Sequence, residues 1–391
     1  VLLVVGVFAL TGRWSENPNA LRRLQQPTNA KTADWFRLSV KTGGVSVPFV
    51  ISVPLRKPQD GEALPEGLIV NGLEEIIIGA RRTESGFEIP LGWLGASIQA
   101  KVNPDDSVQG AWRLNDKNQT TQSYELDGYK IPDALPERRY PVAPALPEAK
   151  PVPSPLPTRY KIQLGTKTGI LRYRTSTTHA IDVTIYTPGE SYGALAGSQY
   201  GRLLQASSFD GRRAMLLQAT ISPDGSTIDG FLSANGTIQT IKGWEQNERI
   251  TVPFQRELTA DELTRLTLPE TRPAIVWHTS IFDAASQRMA TGLARMLKEQ
   301  PTAPRLVVYL HDPEEGYDAR VSEWLTYHGL NAEVARINDD EKGAGPLPAI
   351  AFISATGTVK AAYTGLHGPG TGGSYRKQLS NWATHAADIL K

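Results

Sequence analysis

Six histidines, at positions 179, 278, 311, 328, 367 and 385, are the side chains best suited to proton transfer or metal binding near neutral pH. No two of them have the spacing of a zinc or metalloprotease motif. Ser280 follows His278 closely, but a hydrolase needs a nucleophile activated by an oriented base and an oxyanion site, and proximity in sequence supplies neither. Gly368-Pro369-Gly370-Thr371-Gly372-Gly373 fits the G-x-G-x-x-G pattern, with Asp388 beyond it. A dinucleotide fingerprint needs the acidic residue at the end of a following strand, whereas the residues after Gly373 read as a helix, so a loop before a terminal helix is expected. The chain has no cysteine. Disulfide exchange and peroxide reduction by a thiolate are therefore closed to it. The residues predict no catalytic group, no metal ligand set and no cofactor.

The elements around His278 set the context. Pro273 to Ser280 is an apolar strand-type run ending in small polar residues, and Phe282 to Gln300 follows with Ala285, Met289, Leu293, Met296 and Leu297 at helical spacing. Arg305 to Leu310 reads as a buried strand, Val321 to His328 as a short helix stopped by Gly329, and Pro346 to Ile353 with Val359 to Tyr363 as a hairpin before a last helix from about Ser374. The order β-α-β-α-β-β-α resembles the thioredoxin fold, and within it the membrane-anchored TlpA/ResA-like (redoxin) thiol-disulfide reductases. Two strings carry the resemblance: Val276-Trp277-His278-Thr279-Ser280, similar to the strand entering the family's Cys-x-x-Cys turn, and Pro346-Leu347-Pro348 before Ala349-Ile350-Ala351-Phe352, similar to its cis-proline loop. The resemblance places Ile281, Phe282, Asp283 and Ala284 in a degenerate active-site turn, with Ile281 and Ala284 where the cysteines belong, and makes Pro348 the cis residue. It implies a scaffold kept after its chemistry was lost.

Length and charge narrow the rest. A chain of 391 residues calls for two or three units, and a formal charge of +1 with both signs interspersed gives no footprint for nucleic acid. Val1 to Leu10 is continuously apolar and is followed by a polar boundary at Thr11-Gly12-Arg13-Trp14; residues 1–14 are either the visible end of a retained membrane anchor or the tail of a cleavable signal peptide, and the anchor is the expectation. Residues 34–130 and 159–255 show short alternating strands separated by Gly, Pro, Asn and Asp, two β-rich domains or halves. Val47-Pro48-Phe49, Val70-Asn71-Gly72-Leu73-Glu74 and Leu203 through Ala214 resemble the β-rich region that precedes the redoxin domain in some of those relatives.

Gln99-Ala100-Lys101-Val102-Asn103-Pro104-Asp105-Asp106-Ser107 is echoed by Gln218-Ala219-Thr220-Ile221-Ser222-Pro223-Asp224-Gly225-Ser226. Either two hairpins share a favoured turn chemistry or a β unit is duplicated, and duplication is the expectation. Residues 131–158 hold nine prolines, which favours an extended linker, serving as a spacer, as a strap across a sheet or partner, or as a ligand for a proline-reading domain.

The expected fold class is therefore α+β multidomain: an antiparallel β-rich N-terminal region, barrel or sandwich, followed by a thioredoxin-like α/β domain at 270–391. The expected function is a non-catalytic scaffold subunit of an integral membrane protein complex, anchored on the side of the bacterial inner membrane that the redoxin resemblance implies, the periplasmic one, with a respiratory or photosynthetic electron-transfer assembly as the guess for the partner. The alternative is a redox-inactive, chaperone-like peptide binder using the Pro348 groove.

Overall fold

The computed structural model describes residues 33–391 except 59–63, 116–119, 133–138, 142–155, 176–179, 188–189, 247–254, 270–271, 282–283, 301, 303, 312–317, 338–346 and 367–372. The expected anchor at 1–14 lies outside the described residues, among which no helix is long and apolar enough to cross a membrane.

Alternation of apolar residues, as in Phe36, Leu38 and Val40, drives the first part of the chain into strands with one buried face. β1 (Ala33–Thr42), β2 (Val45–Pro54), β3 (Glu66–Asn71), β4 (Glu74–Gly79), β5 (Arg81–Arg82), β6 (Gly86–Leu91), β7 (Ala96–Val102), β8 (Ser107–Asn115) and β9 (Thr121–Ile131) form a nine-stranded sheet ordered β4-β3-β2-β1-β9-β8-β7-β6-β5. Its two edges, β4 and β5, are joined through Ala80 alone, so the chain itself draws the sheet into a curl.

The second part closes fully. β10 (Arg159–Leu164), β11 (Lys167–Thr175), β12 (Ala180–Thr187), β13 (Glu190–Tyr200), β14 (Leu203–Phe209), β15 (Ala214–Ile221), β16 (Thr227–Ala234) and β17 (Thr237–Glu245) form an eight-stranded antiparallel barrel. Its interior is filled by Tyr160, Ile162, Leu171, Val183, Leu204, Leu217, Ile228 and their neighbours, as expected for a barrel of this size.

The two sheets repeat one plan. Leaving aside the two-residue β5, both are meanders of eight strands whose first and last strands pair, β1 with β9 and β10 with β17. They differ at one seam: the barrel pairs its fourth and fifth strands, β13 and β14, whereas β4 and β6 are unpaired. The two echoed hairpins, β7–β8 and β15–β16, are the sixth and seventh strands of each meander. Both turns pass through a left-handed residue, Asp106 at φ 64° and Gly225 at φ 77°, and both hold an Asp that accepts the N–H and hydroxyl of the serine two residues on. The second turn is one residue longer, pairing Ala219 with Gly230 where the first pairs Ala100 with Gly110. Shared position in a shared meander favours duplication over coincidence of turn chemistry.

The C-terminal part requires a correction. Among the described residues 57% are strand and 16% helix, so the chain is a β protein of three sheets, not the expected α+β protein ending in a thioredoxin-like α/β domain. β18 (Gln255–Glu257), β19 (Ala274–Thr279), β20 (Leu306–Leu310), β21 (Glu333–Arg336), β22 (Ala349–Ile353) and β23 (Val359–Gly365) form a mixed sheet ordered β18-β23-β22-β19-β20-β21. A short helix, α1 (Ala260–Arg265), precedes β19, while α2 (Ala284–Lys298) and α3 (Asp318–Tyr327) link β19, β20 and β21. α4 (Gly373–Asp388) follows β23.

β21 was not foreseen, because Glu-Val-Ala-Arg is short and largely exposed. Its presence makes both crossovers step the same way across the parallel strands, and right-handed crossovers then put both helices on one face. Accordingly Met289 and Leu293 of α2, Trp324 of α3 and Trp382 of α4 share one core with Ile275 and Trp277, and the same core includes Phe36 and Phe87 of the first sheet and Trp93 from the turn between β6 and β7. The other face, with Val276, Val307 and Ile353, is covered by Leu268 from the segment after α1. The helical layer is thus packed between two sheets.

α3 fills the seam that the first sheet leaves open. Tyr327 packs at a tilt against Trp93 with ring centroids 4.5 Å apart, and its hydroxyl lies where a Cβ on Gly79 would stand, 2.0 Å away; Glu323 crowds Gly92 in the same manner. Gly79→Ala is therefore expected to destabilise the protein by about 1–3 kcal/mol through overpacking. Adding Tyr327→Phe should recover part of that loss in urea titrations, and no recovery would show that α3 does not fill this seam.

The described pieces of the proline-rich segment lie on the protein's own sheets. Arg139 donates to the Gly72 carbonyl (2.9 Å) and to Glu75 (2.6 Å), and the Tyr140 hydroxyl reaches the Asp182 carboxylate of the barrel at 3.3 Å. Burial and the Asp182 charge push the Tyr140 phenol far above its ordinary range, so it stays a neutral donor.

Candidate functional site

β19 ends at Thr279, and the chain turns through Ile281 into α2. Ile281 is fully buried. Its carbonyl accepts a hydrogen bond from the Gln287 amide, whose own oxygen accepts from the Trp324 indole at 2.9 Å. Ile281 is thereby tied to α2 and α3 together. Phe282 and Asp283 lie outside the described residues, and Ala284 is the first residue of α2.

The Leu347–Pro348 bond is cis. Ala349 pairs with His278 across β22 and β19, which sets Pro348 beside the strand end leading into the turn. Turn and proline loop therefore adjoin. Pro348 is itself buried, and its carbonyl accepts from the Gly365 N–H at 3.0 Å and the Thr364 hydroxyl at 3.2 Å.

A helix at a sheet surface normally keeps a wet polar face, but Ala285 through Leu293 are all buried. One turn beyond Ala284, Arg288 pairs with Glu74 of β4, both almost completely inaccessible to solvent. Asn71 donates to Glu74 at 3.2 Å and also clasps the backbone of Phe209, giving to its carbonyl and accepting from its N–H, each at 3.0 Å. Asp210 follows, accepting from the backbone of Arg212 (3.0 Å) and Arg213 (2.7 Å) and from the Arg213 guanidinium (3.1 Å). The three sheets thus meet on two buried carboxylates and two guanidiniums.

Burial pushes the Glu74 carboxyl up, against the pull of Arg288 and Asn71. For Asp210 burial acts in the same direction, but Arg213, Arg288 and two backbone N–H groups outweigh it and hold the carboxyl below its ordinary value. Three strings singled out in the sequence come into contact here: Phe49 stacks on Phe209 at 4.1 Å, the Pro48 carbonyl accepts from Ser207, and Asn71 clasps Phe209.

His278 sits on the other face of the third sheet. Its Nε2 donates to the Thr267 carbonyl at 3.0 Å, which leaves Nδ1 to accept from Nε2 of His311 at 2.9 Å, and Tyr309 stacks on its ring at 5.0 Å. His311 was not anticipated as a partner; the available signal is that each imidazole lies at or just past the end of one of two adjacent parallel strands. Among the described residues no group of three or more His, Asp or Glu side chains could hold a metal ion. The arrangement ties elements together and presents no activated nucleophile. A cysteine at Ile281 is accordingly expected to stay unreactive to an aromatic disulfide reagent until the protein unfolds, and the double change Ile281→Cys, Ala284→Cys to reduce no insulin. Rapid labelling of the folded variant would show the turn to be open.

No described protein family and no curated protein matches the chain. Among solved structures, a secreted Mycobacterium tuberculosis disulfide oxidoreductase homologous to E. coli DsbE overlaps 30% of this chain and 82% of its own, with 16% identity and a TM-score of 0.23. A Nostoc punctiforme protein of unknown function from the DUF3598 family overlaps 56% of this chain and 97% of its own, with 10% identity and a TM-score of 0.18. Both are weak likenesses, too distant to carry an activity across.

Proposed function

We propose that this protein is a non-catalytic scaffold subunit, held on the periplasmic side of a bacterial inner membrane and docked to an integral membrane complex. The observation that carries the reading is the burial of Ile281: it is fully inaccessible and its carbonyl is tied through Gln287 to Trp324, in a chain with no cysteine. A surface kept for thiol chemistry or for holding extended peptide would leave this edge accessible. The Pro348 carbonyl, engaged by Gly365 and Thr364, is likewise occupied from within. The apolar stretch Val1 to Leu10 supports attachment to a membrane.

Purification of the tagged full-length chain from native membranes in mild detergent tests the reading. A complex of fixed stoichiometry that survives a high-salt wash is the expected result. A spread of substoichiometric clients would favour the peptide-binding alternative instead, and a protein recovered alone would overturn the scaffold reading.

A further inference from the structure

The lining of the barrel changes character at one end. β12 and β14 finish at that end and β17 begins there. Side chains alternate between interior and exterior along a strand, so the register of Val183 and Ile185 carries Thr187 inward, that of Leu204 and Ala206 carries Ser208 inward, and that of Ile241 carries Gln239 inward. Contact bears this out for Thr187: a Cβ on Gly169 would stand 2.8 Å from its Cγ2, and Gly169 is on the same face of β11 as the interior Leu171. An interior packed with residues such as Ile162, Leu217 and Ile228 thus presents two hydroxyls and an amide at this end.

Thr187 and Ser208 are fully buried, and Oε1 of Gln239 is likewise inaccessible to solvent. None of these three oxygens has a hydrogen-bond partner among the described residues. Neighbouring groups are satisfied. Ser207, one residue before Ser208 and facing outward, donates to the Pro48 carbonyl, and at the opposite end of the barrel the Tyr160 hydroxyl donates to the Gly225 carbonyl at 3.1 Å. The unpartnered oxygens therefore mark one place inside the barrel, at one end.

We infer that this end of the barrel is a binding site for resident water, hydrogen-bonded to Thr187, Ser208 and Gln239. Polar groups cut off from both bulk solvent and protein partners are bonded to buried water in folded proteins, because the alternative is the full cost of desolvating each one. The amide oxygen of Gln239 needs a donor, each hydroxyl can donate or accept, and none of the three side chains carries a charge. A neutral molecule with both donor and acceptor capacity answers all of them. Because the interior beneath is filled by apolar side chains, that molecule is small. The inference goes beyond the scaffold reading and stands independently of it.

Oxygen-17 magnetic relaxation dispersion on the full-length protein provides the test, because its amplitude counts water molecules that stay bound longer than the protein takes to tumble. The triple change Thr187→Val, Ser208→Ala, Gln239→Met removes the three oxygens with little change of shape. The expected result is a dispersion amplitude lower than the parent's by the contribution of a bound water or more. Urea titration of Thr187→Val alone gives a second reading of opposite sign for the two cases. If water bonds the Thr187 hydroxyl, the variant loses that bond and its midpoint falls; if the hydroxyl is dry, replacing it with a methyl group removes a desolvation penalty and the midpoint rises. An amplitude unchanged in the triple variant, or a raised midpoint in Thr187→Val, would overturn the inference. Should the triple variant not fold, both readings on Thr187→Val decide it in the same way.

Discussion

Arg288→Met is expected to lower the free energy of unfolding by about 3–5 kcal/mol, because it removes one cation from a junction where Glu74 and Asp210 are both buried. The cost arises from the carboxylates left behind more than from the lost attraction. Glu74→Gln alone should also destabilise, by leaving a buried guanidinium short of its partner. The double variant, with one charge of each sign removed, is expected to be more stable than Arg288→Met alone, giving a coupling energy of at least about 1 kcal/mol in a double-mutant cycle. Urea denaturation of the four proteins measures it. Simple additivity would show that Arg288 and Glu74 do not act as a pair, and that the first sheet and α2 are joined by apolar packing only.

His328 is expected to dominate the acid sensitivity of the fold. It is buried just after α3 beside the Trp324 ring, and burial lowers its imidazole from the ordinary value near 6.5 to about 4. A depressed folded-state pKa means that the unfolded chain binds the proton first. The stabilisation is therefore complete above about pH 6.5 and is lost as the pH falls through about 4, amounting to about 3 kcal/mol over that window. His328→Leu should flatten the stability profile between these limits relative to the parent, while carboxylates elsewhere titrate alike in both. Parallel profiles for parent and variant would place the proton uptake on another group.

How much of this was legible in the sequence follows from the range of each interaction. Alternation in Phe36-Arg37-Leu38-Ser39-Val40 is local, so strands of the first sheet could be placed nearly to the residue, and the echoed Pro-Asp hairpins pointed to a repeated unit whose meander only the pairings reveal. Periodicity in α2 located its apolar stripe at Met289, Leu293 and Met296 but said nothing of the opposite side, where Arg288 should have faced water. That side is buried because β4 lies against it, and nothing near Arg288 in sequence announces Glu74. The same applies to His278, whose partner His311 becomes adjacent only once β19 and β20 run parallel. β21 escaped because four largely exposed residues carry no apolar signal. Asn71 and Phe209 stood out as strings, yet that they hold each other is a property of two sheets meeting.

Ile281, ahead of α2, and the run from Ala285 to Leu293 within it are buried in the core between two sheets. Hydrogen exchange on the segment from Ala284 to Leu293 tests this most directly, since amides at a functional edge open locally whereas those in a shared core exchange only when the protein unfolds. The account predicts that these amides exchange as slowly as those of β1 and β19, and that urea accelerates all three sets with the same steep dependence. Fast exchange at α2, insensitive to urea while β1 stays protected, would contradict it.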